Sequence, residues 1–441
     1  MNQQDTNLNI EQPQRLLRMR DTFMLLIGSV MGSGIFFKQA DVLKFAGSPF
    51  LALMAWILGG IITLTASLTI AQLGSKYTTG GLYAYLKQIY GKFAAFMAGW
   101  VQVIIYGPAT LGTLGMYLAI MLVKFVGLPL KYFPYLAIGA ILLILIFNCI
   151  SNSATIKVQF ALSILKILMI GAIVVAGLMY GKSQIVITAQ SGDNLLSHQF
   201  GVAVISSLFA YDGWSAVANM GREIQQPHRT IPQTLVHGVM MIILLYMLIT
   251  IVFLQVLPSN LILQLGKETA PFFGHYAFGE IGGKIFNIGI ILTILACLNG
   301  KMMTFSRVVL SMADDDQLPF SKYLMRYNQK SKSPILAISL ISLIAIIMVL
   351  FFDPGKLSRI CIFSIYLFYL MAFVGIFILR RRKVELPYKV PGATVIAVIA
   401  IIATTFVLFS EVLYDWKSIL ILGFWGIVGI PIYYLMKTKR A

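Results

Sequence analysis

Gly32-Ser33-Gly34-Ile35-Phe36 decides how this sequence is read. It lies inside the first long apolar stretch, 22–46. Glycine is a poor residue for a helix interior, and two of them around a serine invite the backbone to open. Opened backbone at membrane depth is tolerated only where protein or water fills the gap. A second candidate break, Tyr211-Asp212-Gly213-Trp214, lies inside another apolar stretch, 200–221. Interrupted spans in matching positions of two halves point to the binding site of a membrane carrier.

Composition agrees with a membrane setting. The 441 residues are 59% hydrophobic and 11% charged, with a mean hydropathy of +0.85. A soluble domain carries about 25% charged residues. Twelve apolar stretches near the thickness of a bilayer core follow one another: 22–46, 50–73, 93–123, 133–150, 158–181, 200–221, 233–257, 284–310, 334–352, 358–379, 393–412 and 417–436. The gaps at 258–283 and 311–333 hold only loops or short helices. The expectation is one all-α polytopic membrane domain over 1–441, with twelve transmembrane helices.

The first 21 residues are polar and include Arg15, Arg18 and Arg20. No apolar core followed by small residues marks a cleaved signal, so the N-terminus is expected in the cytoplasm. Counting spans from there, most of the 34 Lys and Arg fall in inner loops and tails. They include Arg380, Arg381, Arg382 and Lys383, and the terminal Lys437, Lys439 and Arg440. That is the positive-inside bias, and an even count puts both ends inside. Lys38, Lys166 and Lys301 fall within spans. The net charge of +18 is spread over many loops, which argues against nucleic acid and for anionic membrane lipid.

Cys149, Cys297 and Cys361 all lie in or at the ends of apolar stretches, so no disulfide-linked accessory subunit is expected. Neither the cysteines nor His198, His228, His237 and His275 have metal-ligand spacing, and no cofactor is expected.

Two breaks divide the chain into halves of five spans, about 22–181 and 200–379, followed by two further helices at 393–436. An odd number of spans per half inverts one half relative to the other. The stretch 74–92 reads as an inner loop with a short surface helix. The stretch 222–232, with Pro227 and Pro232, reads as a polar turn between helices.

Opening a helix frees N–H groups on the half that follows and C=O groups on the half that precedes. The amides favour a carboxylate and the carbonyls an ammonium. A zwitterionic amino acid carries both on adjacent atoms. Carboxylate capture falls to the amides around Ser33 and Gly34, with the Ser33 hydroxyl. The competing reading is close packing, since Gly28/Gly32 and Ser29/Ser33 are small residues four apart.

At these residues the chain resembles the amino acid–polyamine–organocation transporters, and within them the L-type amino acid transporter branch. The resemblance covers nearly the whole chain. It rests on Gly32 to Phe36, on Phe209-Ala210-Tyr211-Asp212-Gly213-Trp214, on Arg222-Glu223 with Pro227 and Pro232, and on Leu298-Asn299-Gly300 with Ser306-Arg307. It implies a five-plus-five inverted repeat of the LeuT type with two additional C-terminal helices, working by alternating access. It implies a substrate site at Val30, Gly32, Ser33, Gly34, Ile35, Phe209, Ala210, Tyr211, Asp212 and Trp214. The substrate carboxylate meets Ser33 and Gly34. The amino group meets carbonyls at Val30, Phe209 and Asp212, and Phe209 gates the site.

Lys166 lies deep in an apolar stretch, which is costly and points to function. The resemblance makes its ammonium a built-in replacement for a sodium ion, bridging span five to spans one and eight. The resulting expectation is a sodium-independent amino acid transporter, an exchanger of neutral and cationic L-amino acids in a bacterial inner membrane. A proton-coupled symporter and a non-transporting amino acid sensor are the alternatives. Asp212 departs from the small neutral residue of some relatives; it either attracts cationic substrates or caps the second half-helix. Lys301 either pairs with an acid or reaches the inner surface. Glu223, beside Arg222 and near Arg229, is a candidate for an inner gate, and Asp314 to Asp316 read as a solvated loop. Phe363 and Tyr366 are candidates for the side-chain pocket. An ion channel would need a filter and an enzyme a reactive cluster, and neither is present in the sequence.

Overall fold

The structure is a computed structural model that describes residues 17–180, 193–328 and 330–438. Arg15, Lys439 and Arg440 lie outside the described residues.

All twelve apolar stretches are helical. The first is split into α1 (Met19–Val30), α2 (Ser33–Phe37) and α3 (Gln39–Ala46). Then come α4 (Pro49–Lys76), α5 (Gly81–Tyr90), α6 (Lys92–Val101), α7 (Gly107–Val126), α8 (Phe133–Ile150) and α9 (Asn152–Tyr180). The sixth stretch is split into α10 (His198–Tyr211) and α11 (Ala216–Asn219). After it come α12 (Pro227–Val256), α13 (Ser259–Leu265), α14 (Thr269–Asp314), α15 (Ser321–Leu324) and α16 (Ile335–Phe351). The chain closes with α17 (Pro354–Arg381), α18 (Ala393–Tyr414) and α19 (Trp416–Thr438). Among the described residues, eight helical runs are long and apolar enough to cross a bilayer, and nine with the bent first stretch. Three stretches fall short: α10 has 14 residues, α16 has 17, and within α19 the apolar run is Leu422–Met436.

Local chemistry sets the helix ends. Ser48, Ser197 and Asp353 cap α4, α10 and α17, each accepting a backbone N–H at 2.9–3.2 Å. Each such cap supplies an acceptor to an otherwise free amide. Pro227 opens α12, so that helix starts earlier than the sequence suggests and Pro232 falls within it. A π-helical turn, Gln102–Tyr106, joins α6 to α7, and α14 is kinked at Gly279.

The charge and polarity pattern is that of a bundle in lipid. Leu143, Ile146, Leu168, Leu178, Ile347 and Phe351 face outward, while Lys38, Lys166, Asp212, Lys301 and Arg307 are buried. With hydrocarbon outside, polar groups gain only by finding one another inside. α1 runs through the centre against α9, α12 and α14. One sequence expectation changes. α5 is no surface helix: Leu82, Tyr85, Leu86 and Ile89 are buried and it packs on α6 and α17. α18 packs on α4, α10 and α17.

Candidate functional site

α1 ends at Val30. Met31 (ψ 89°) and Gly32 (φ −133°, ψ −141°) leave the helical region, and Ser33 restarts it. α10 ends at Tyr211, Asp212 turns extended (ψ 144°), and Gly213 takes φ 118° before α11 begins. Gly213 is needed twice: its φ is left-handed, and a Cβ there would fall 2.5 Å from the Ser29 carbonyl oxygen. The two breaks therefore face each other across that contact. Gly34 is as tightly placed, since its Cβ would lie 2.4 Å from the Ala210 Cα.

A small cavity, only about 10 Å³, lies between the breaks. Val30, Gly32, Ser33, Gly34, Phe209 and Asp212 line it, as the sequence suggests. Thr110, Leu114, Cys297 and Lys301 complete the wall and come from α7 and α14. The hydroxyls of Ser29 and Ser33 are buried with no hydrogen-bond partner. The Tyr246 hydroxyl lies between two carbonyls, 3.2 Å from Val30 O and 3.1 Å from Ala210 O, and its one proton is shared between them.

Other candidates stand outside that wall. Tyr211 turns to α4, donating to Trp56 O at 3.2 Å. Trp214 meets Tyr369 at a tilt (4.9 Å), and Tyr366 meets Tyr369 edge-on (5.5 Å), so Trp214 and Tyr366 share an aromatic cluster. Phe363 is buried in the core. Ile35 and Ala210 are buried along α2 and α10.

The charges are the main surprise. Lys301 does not reach the surface; its ammonium forms a buried ion pair with Asp212. Tyr106, on the π-helical turn, donates to the other Asp212 oxygen at 2.6 Å. Asp212 therefore does not cap α11. Lys166 donates to Gly28 O at 2.6 Å and so joins α9 to the last turn of α1. Beside it runs a polar chain that the sequence reading missed: Asn148 donates to Asn299 at 2.8 Å, and Asn299 to Gln159 at 2.9 Å. Asn299 in the Leu-Asn-Gly motif was its only sequence signal.

At the far end of α1, Glu223 pairs with Arg307 of α14 at 2.9 Å, both buried, and not with its neighbour Arg222. Leu17 N–H donates to Glu223 O and Gln225 N–H to Leu17 O, which closes this end of the bundle. Burial raises the Tyr327 phenol in the adjacent loop above its ordinary range; Arg307 opposes this and Glu223 adds to it. Asp314 pairs with Arg222, and Asp315 accepts from Tyr83 and Lys87. The ion pairs of Asp314 and Asp315 tie the end of α14 to its neighbours, while Asp314 and Asp316 stay exposed to solvent as the sequence suggests. Among the described residues no group of three His, Cys, Asp or Glu is placed to hold a metal.

A many-helix apolar bundle that faces apolar side chains outward and gathers its charges inside is an integral membrane protein. The chain belongs to the amino acid permease family, whose sequence model matches residues 17–434, and within it to the L-type amino acid transporter branch. It is 39% identical to the serine/threonine exchanger SteT of Bacillus subtilis over 420 residues, 95% of each chain. It is 26% identical to the mouse large neutral amino acids transporter small subunit 2, covering 93% of this chain and 79% of that one. It is 25% identical to the mouse b(0,+)-type amino acid transporter 1, covering 92% and 85%. The protein is thus an amino acid transporter and not an enzyme.

Proposed function

We propose that this chain exchanges small neutral L-amino acids, without sodium, by alternating access in a bacterial plasma membrane. The observation that carries the choice of neutral substrates is the Lys301–Asp212 pair in the cavity wall. The carboxylate in the cavity wall is neutralised by the Lys301 ammonium and hydrogen-bonded by the Tyr106 phenol before any ligand arrives. A cationic side chain finds no free acid there and meets Lys301 instead. The substrate carboxylate docks on the free amides after Gly32 and on the unpartnered Ser33 hydroxyl. The amino group takes the carbonyl end of α1 and the Asp212 turn. Leu114, Phe209 and Cys297 are the apolar wall against which the substrate side chain would lie once the site opens.

Lys166 supports sodium independence, because its fixed ammonium holds the end of α1 that a mobile cation would otherwise hold. The resemblance to a serine/threonine exchanger supports both exchange and small substrates. The five-plus-five repeat also fits the packing. Number the twelve helical stretches in order. Stretches one and five pack together, as do six and ten; three and four do, as do eight and nine; three and ten do, as do eight and five. Shifting each number by five maps these pairs onto one another. The transporter works without a disulfide-linked subunit, in keeping with cysteines confined to helices.

Proteoliposomes loaded with unlabelled serine should take up labelled serine equally well in sodium and in choline buffer. Empty vesicles should take up little. Arginine and lysine should compete at least about tenfold more weakly than threonine or alanine, a difference of ~1.4 kcal/mol. A sodium requirement, or uptake into empty vesicles driven by a pH gradient, would overturn the exchange reading. Equal competition by arginine would overturn the neutral one.

A further inference from the structure

Lys38 has no part in the function described so far. It lies at a second bend of the first span, where 19–37 and 39–46 meet at 57°. Its side chain is buried, 1% exposed. The ammonium donates to Asp41 Oδ2 and to Ser358 Oγ, both at 2.9 Å. It also sits 5.6 Å from the centre of the Phe209 ring. Tyr117 meets the same ring edge-on at 6.2 Å, and Phe37 stacks on Tyr117 at 4.7 Å. One ammonium thus ties the α2–α3 junction to the start of α17 and to the aromatic ring that walls the cavity.

This cluster lies at the end opposite Glu223 and Arg307. Leu17, before α1, pairs with the segment after α11, whereas Lys38 lies beyond the first break. A buried ammonium must keep its partners, because water cannot replace them until the site opens. For Phe209 to swing aside, the ring must leave the ammonium. For α3 to tilt at its bend, Lys38 must leave Ser358. Both motions break contacts made by the same atom.

We infer that Lys38 is the positioning residue of the Phe209 gate: its ammonium, held by Asp41 and Ser358, keeps that side of the pathway shut. The inference rests on reading Phe209 as the gate. Lys38→Met preserves bulk and removes the charge. Asp41 remains 30% exposed, and Ser358 still donates to Gly355 O at 2.7 Å, so no buried acceptor loses its only partner.

Cys297 in the cavity wall supplies the readout. Membrane vesicles of both orientations are treated with a charged, impermeant thiol reagent, and modification at Cys297 is measured by peptide mass spectrometry. Lys38→Met should raise the rate from the Lys38 side about tenfold, ~1.4 kcal/mol of gate equilibrium, and lower it from the Glu223 side. Ser358→Ala, which deletes one contact, should move both rates the same way by less. Phe209→Ala should also open the Lys38 side. If Phe209→Ala opens that side and neither Lys38→Met nor Ser358→Ala does, the role of Lys38 is refuted. If Phe209→Ala fails as well, the reading of Phe209 as the gate falls with it.

Discussion

The two broken helices use one backbone device in opposite ways. The first break, from Val30 to Ser33, carries no charged side chain, and the hydroxyls of Ser33 and of Ser29 just before it lack partners. The second, at Asp212 and Gly213, is already filled by an ion pair and a phenol. An opened helix is therefore not in itself a ligand site. It becomes one where its polar ends are left unsatisfied and sealed from water, because only there does a ligand's charge replace something missing. On the proposed function, the second break is a wall of fixed polarity beside a substrate held at the first.

The comparison breaks most sharply at Gly34. A Cβ there meets the backbone of Ala210, and neither helix can retreat without dissolving the facing breaks. Gly34→Ala should cost more than about a hundredfold in exchange rate, ~2.7 kcal/mol, with the protein still folded by thermal melting. Near-normal exchange would mean that the breaks need not touch.

Lys301→Met tests the filled break next. It leaves the Asp212 carboxylate buried with only Tyr106, and losing one partner of a buried pair costs about 3–5 kcal/mol. The melting temperature in detergent should fall by several degrees, and adding Asp212→Asn should recover most of the loss. A double variant as unstable as the single would show that the two residues are not coupled.

Lys166→Ala sharpens the open break with a smaller effect. Its ammonium holds Gly28 O, one turn before the break, and does not line the cavity. Turnover should fall about tenfold, ~1.4 kcal/mol, with substrate binding by scintillation proximity changed much less. Equal losses in both would make Lys166 part of the binding surface.

The breaks were legible because they are local. Gly32, Gly34 and Gly213 announce where a helix cannot continue cheaply, whatever surrounds it. The apolar stretches were legible for the same reason, although capping and Pro227 moved their ends. The partners of the charges were not. Glu223 looked to its neighbours Arg222 and Arg229, yet its guanidinium came from Arg307 on α14. The π-helical turn that aims Tyr106 at Asp212 left no reading in the sequence, since it arises where α6 must meet α7 around the site.

By itself the sequence determined a chain of apolar helices, two of them interrupted, and one lysine, Lys166, too deep in an apolar stretch to be idle. Only the tertiary structure decided which charge meets which. It set Lys301 on Asp212 and Lys38 between Ser358 and Phe209, and it left the Ser33 hydroxyl free. The physical reason is range. Backbone conformation is fixed within a few residues, whereas a buried ion pair forms wherever packing brings two distant segments within about 3–4 Å and excludes water from both.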